Sequence, residues 1–246
     1  MPLFLDGGFW GPWIERSYPA EIESLREALM TRVLPALPDP DREADAESQR
    51  QWAAAMSQPS DGSDDTARWA EWVVEQRIER YERARGVQQA ILNMGTVMLW
   101  HLLEQQMLSF HRRQVLSKQE ECAAMNEPKQ HKRFCTLKEF ENRMKTGGYA
   151  LCQLRDWPKL KELKLVANTV KHGAGESARA LYSLRQDLFS PPSFEGTSGT
   201  FLAGPESIER PASGNDLYVT KRDLNGYFDA AKAFWSEFAR LVKGQF

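Results

Sequence analysis

At 246 residues, 41% hydrophobic and 27% charged, the chain is long and apolar enough to build one large globular domain, or a domain with a sizeable appendage. Its formal net charge of −2 excludes a global electrostatic signature for nucleic acid or membrane, so an anionic partner must be met by a local basic patch. Three cysteines (Cys122, Cys135, Cys152) without tight pairing exclude a secreted disulfide framework. No apolar run reaches membrane-spanning length and the N-terminus lacks the pattern of a signal peptide, so the expected location is cytoplasmic with no membrane partner.

Residues 1–65 read as an N-terminal extension followed by a linker. Asp6-Gly7-Gly8 is turn-like, and a helix is predicted from about Pro19 to Val33. Phe9, Trp10 and Trp13 are expected to pack within the chain. Between Leu37 and Asp65, prolines, acids and Asp61-Gly62-Ser63 predict a linker or ordered loop, with a short helix around Ala46 to Met56. From Thr66 the pattern is strongly helical. Val87, Ile91, Met94, Met98 and Leu102 form one apolar stripe, and Leu99, Leu103, Met107 and Phe110 form a second, the pattern of a bundle's central helix. Trp69, Trp72 and Trp100 occupy helical positions and are expected in the core.

Glu120 to Cys135 reads as a loop carrying the basic cluster Lys129-Gln130-His131-Lys132-Arg133. Thr136 and Glu139 have capping-box spacing, and Gly147-Gly148 end the helix they open. Pro158 suits the first turn of the next helix, which Gly173 and Gly175 stop. A helix over Glu176 to Leu184, a loop from Ser190 to Asn215 and an extended Leu217-Tyr218-Val219 follow. The Thr220/Asp223 capping pattern then opens a last helix with Tyr227, Ala231, Phe234, Phe238 and Leu241 on one face. The fold class predicted is all-α, an up-and-down helical bundle over 66–246 with an N-terminal extension.

The helix ending at His172 holds the best candidate for chemistry. Leu160, Leu163, Val166, Ala167 and Val170 share a broad apolar face, while Lys164, Asn168 and His172, spaced i, i+4, i+8, line up beside it. His172 falls in the last turn, where the helix dipole accommodates a cation.

Three segments together resemble the HEPN superfamily of small helical bundles. They are the long helix with Leu99-Trp100-His101-Leu102-Leu103-Glu104, the helix end Asn168-Thr169-Val170-Lys171-His172, and Leu217-Tyr218-Val219-Thr220 leading into an aromatic-rich final helix. Many members of that superfamily are metal-independent RNases of toxin–antitoxin and antiviral defence systems, with an Arg followed four to six residues later by His and a composite site between two subunits. This chain keeps the Asn-x-x-x-His portion and has Ala167 where the family's arginine is expected. The resemblance implies an RNA substrate, an antitoxin or defence-system protein as partner, and a homodimer. In such a site His172 is the general acid/base, Lys164 or Lys171 steadies phosphate charge, and Asn168 orients the imidazole or bonds a phosphate oxygen. The alternative is a catalytically degenerate module of the same fold that binds protein or nucleotide.

Glu104 interrupts the apolar stretch Val97 to Leu108 and reads either as a buried partner of His172 or as a solvent-facing glutamate. Lys132 and Arg133 are the candidate RNA-binding residues of the basic loop. No metal or other cofactor is expected. His101 and Glu104 lack the repeated Glu-x-x-His pattern of di-iron bundles, and the cysteines with His131 lack zinc-site spacing. Nucleophile elbows and phosphate-cradling glycine loops are absent as well.

Overall fold

A computed structural model describes residues 5–57, 66–191 and 204–244. The fold is an all-α helical bundle, and no strand occurs among the described residues. The part of the 190–215 loop that lies at 192–203 falls outside them.

Helix α1 (Gly7–Glu27) begins twelve residues before the predicted start at Pro19, because the Asp6 side chain caps it by accepting from the Phe9 N–H at 3.2 Å. Trp10, Ile14, Tyr18 and Ile22 then make an i, i+4 stripe that is buried. The glycines that read as a turn permit a close helix approach instead: a Cβ on Gly7 would overlap the Val242 carbonyl near the chain's end. Part of the expected extension is therefore core. A π-helical turn (Ala28–Val33) and the short α2 (Leu34–Ala36) bring the chain to Pro38.

Helix α3 (Pro40–Ser57) replaces most of the predicted linker. It forms a hairpin with the N-terminal half of α4 (Thr66–Phe110), joined through Arg77–Asp45 at 2.8 Å and Arg80–Glu43 at 2.9 Å. At 45 residues, α4 is roughly 67 Å long, about twice the width of a small domain. Only its second half enters the core, where Leu99, Leu103, Met107 and Phe110 are fully buried. The other predicted stripe faces solvent in part, with Val87 53% and Met98 46% exposed. Trp100 is core, whereas Trp69 and Trp72 pair edge-to-face on the half-exposed hairpin.

The region predicted as a loop folds into two short helices, α5 (Lys118–Asn126) and α6 (Pro128–Phe134). The unread signal is Ser117-x-x-Glu120, a complete capping box, followed by Pro128 in a first helical turn. Helix α7 (Leu137–Thr146) docks this cap on α4 through Leu137, Phe140 and Met144. Helices α8 (Trp157–His172), α9 (Glu176–Leu184) and α10 (Lys221–Val242) complete the bundle. Phe228, Phe234, Trp235 and Phe238 of α10 are fully buried, and Phe238 meets Phe110 edge-to-face at 5.2 Å.

Two buried amides on α4 set its neighbours. The Gln106 Oε1 accepts from the Trp235 indole at 2.7 Å, and its Nε2 donates to Glu21 at 2.8 Å, tying α4 to α10 and α1. Asn93 Nδ2 donates to the carbonyls of Pro211 (2.7 Å) and Leu217 (2.8 Å), while its Oδ1 accepts from Gln89 and from the Val219 N–H. The 207–219 segment lies so close to α4 that a Cβ on Gly214 (φ +87°) would collide with the Gly86 carbonyl. Asn93→Ala strands two buried carbonyls, and the expected cost is about 2–4 kcal/mol, read as a lower urea midpoint with early amide exchange at 207–219.

Candidate functional site

Helix α8 is held by its apolar face: Leu160, Leu163, Val166, Ala167 and Val170 are all buried. Its direction along α4 follows from two contacts. The Lys164 ammonium sits 5.8 Å above the Trp100 ring centroid, and the helix end meets the segment that Asn93 holds. There the Gly173 N–H donates to the Thr169 carbonyl (2.8 Å), and the Ala174 N–H donates to the Ile208 carbonyl (2.9 Å). Gly173 has φ +69°, and a Cβ on it would come within 2.8 Å of the Ile208 oxygen. Both the dihedral and the close approach require glycine, so the position of His172 depends on it.

Lys164, Asn168 and His172 do line up along one flank of α8. Asn168 is half-buried, His172 and Lys171 are exposed, and none of these three makes a side-chain hydrogen bond among the described residues. The four lysines of α8 divide by position. Near its start, Lys159 pairs with Glu162 (2.7 Å) and Lys161 with Glu141 (2.7 Å). Near its end, Lys164 and Lys171 have no carboxylate partner among the described residues. The helix thus carries ion-paired lysines near its start, while Lys164, resting over Trp100, and the exposed Lys171 flank Asn168 and His172 without a carboxylate partner among the described residues.

Other selected residues lie elsewhere. Glu104 is half-buried one turn past Trp100, with no hydrogen bond or ion pair among the described residues. Lys132 and Arg133 are exposed on α6, where the Arg133 guanidinium lies 5.1 Å from the Phe134 ring centroid. The cap that carries them docks on the C-terminal end of α4 through α7.

A polar cluster absent from the sequence reading joins α8, the segment after α9, and α10. Glu162 Oε1 accepts from Lys159, from Arg185 (2.6 Å) and from the Tyr227 hydroxyl (2.8 Å). Arg185 also bonds Asp187 (2.7 Å) and Asp223 (2.8 Å). Burial, with the Glu162 charge beside it, pushes the Tyr227 phenol well above its ordinary value. Arg185 stands after Leu184 with only Asp187 nearby in sequence; its other two acidic partners, Glu162 and Asp223, come from separate helices. Every charge in the cluster is answered from within it, so it works as a staple between helices. Arg185→Met leaves Glu162 and Asp223 facing each other without the guanidinium, with an expected loss of about 3 kcal/mol in urea unfolding.

No group of histidine, cysteine, aspartate and glutamate among the described residues is arranged to hold a metal, and no helix among them is long and apolar enough to cross a membrane. No family model matches the chain, and no curated protein or solved structure matches it.

Proposed function

We propose that this is a HEPN-like protein of bacterial defence or toxin–antitoxin type that engages RNA at the end of α8 and cleaves it without metal. The observation that carries the reading is the split among the α8 lysines, which leaves Lys164 and Lys171 without a carboxylate partner among the described residues, beside Asn168 and an exposed His172. Two cations and an amide along one flank suit successive phosphate oxygens. Imidazole is the side chain suited to proton transfer near neutral pH.

In the reaction, the 2′-oxygen attacks phosphorus as its proton leaves, and the bond to the 5′-oxygen breaks as that oxygen gains a proton. The products are a 2′,3′-cyclic phosphate and a 5′-hydroxyl. His172 serves one of these proton transfers, and a second copy of the chain in a homodimer brings the imidazole for the other. The setting this implies is the cytoplasm, with an antitoxin or defence-system protein as regulator.

One observation favours a second reading, a degenerate binding module without catalysis. Ala167, at the position of the family's arginine, is fully buried in the α8–core contact, so that position presents nothing to a phosphate. The two readings separate in one experiment, incubation of labelled tRNA and single-stranded RNA with the protein in EDTA. The RNase reading expects cyclic-phosphate ends and a loss of at least about 100-fold in rate for a folded His172→Ala. Lys164→Ala and Lys171→Ala are expected to weaken binding and lower the salt dependence by about one unit each. Binding without cleavage selects the module reading, and neither binding nor cleavage overturns both RNA assignments.

A further inference from the structure

At the end of α4 the backbone widens into a π-helical turn, His111–Val115, and the cap of α5, α6 and α7 docks over it. His111 opens this turn. Its ring is fully buried, 5.5 Å from the Phe140 ring of α7, and neither Nδ1 nor Nε2 has a hydrogen-bond partner. In the next position the Arg112 Nε is likewise buried and unbonded. A leucine or phenylalanine would occupy the site with no stranded nitrogen, so the closed structure draws no stability from imidazole.

We infer that His111 makes the α5–α7 cap an acid-opened latch, closed while the ring is neutral and released when it takes a proton. An imidazolium has two N–H donors and requires two acceptors or water, and the closed site supplies neither. The charges facing the ring come from the cap. Arg143 of α7 is committed to Glu120 (2.8 Å) and Glu139 (2.7 Å), and its own positive charge opposes a second cation. Glu121 and the half-buried Cys135 thiol surround Arg112. From α1 and α10, the groups bordering the adjoining Phe110 are the uncharged Trp10 and Phe238. No carboxylate is free to follow the proton in, so a protonated ring leaves the interface for water, and the cap leaves with it.

The direction of the pH effect follows. Burial, and then the Arg143 charge, lower His111 from 6.5 to about 4 while the cap is closed. Docking is therefore at full strength above pH 6.5 and weakens as pH falls from there toward 4. The Glu120–Arg143 pair does not confuse this window, because its bond to Arg143 holds Glu120 at about 2. With the ordinary value restored in the open state, the opening equilibrium rises about 30-fold between pH 7.5 and pH 5.

The test is amide protection, as protection factors, in the full chain across this pH range. Protection in α7 is expected to fall about 30-fold between pH 7.5 and 5 while α10 keeps its own, and His111→Leu is expected to hold α7 protection constant. Equal loss in His111→Leu, or flat protection in the wild type, overturns the proposal. Parallel loss in α10 also overturns it, since that is global unfolding. Should His111→Leu fail to fold, the imidazole resonances of the wild type decide. A His111 midpoint near 6.5 with the cap still protected is incompatible with the latch.

Discussion

A helix of 45 residues cannot be buried along its length by a chain of 246, and the rest of the architecture answers that constraint. Two amides on α4 fix α1, α10 and the 207–219 segment against it. Gln106 joins α1 and α10 through a buried indole and a carboxylate, and Asn93 captures backbone carbonyls of a segment more than a hundred residues away. A buried amide with unmet bonds costs more than a misplaced methyl group, so these two residues enforce register where the leucines and aromatics supply only adhesion. The first half of α4, lacking such anchors, meets chiefly α3 and keeps its tryptophans half-exposed.

The same register carries the candidate site. Asn93 holds the 207–219 segment, the Ile208 carbonyl of its first turn accepts from Ala174, and Gly173 fits beneath that carbonyl only because it lacks a side chain. His172 is displayed at the rim as a result. The Glu162–Arg185 staple holds the other end of α8 to α10 and consumes the local lysine charge there. Among the described residues, Lys164 and Lys171 are then the lysines of α8 without a carboxylate partner.

The two ends of the core-facing half of α4 differ in their electrostatic character. Toward Asn93 the polar groups are satisfied and the adjacent cations face outward. Toward His111 a complete ion pair, Glu120–Arg143, lies next to a ring with nothing to bond. Strong and orphaned polar groups side by side make that end responsive to proton concentration, whereas the core between is sealed by aromatic packing.

Periodicity and local chemistry determined the helices in this chain. The i, i+4 stripes of α4, α8 and α10, the Thr136 and Thr220 caps, and the Gly173 stop depend on neighbours within a turn, and that range is visible in the order of residues. The alignment of Lys164, Asn168 and His172 was legible for the same reason. Tertiary structure alone decided which apolar stripe of α4 is covered and which lysines are neutralised. It also decided that α1 is core and that His111 is sealed without a partner. Those outcomes depend on residues dozens to hundreds of positions apart, brought together by packing that no local pattern encodes.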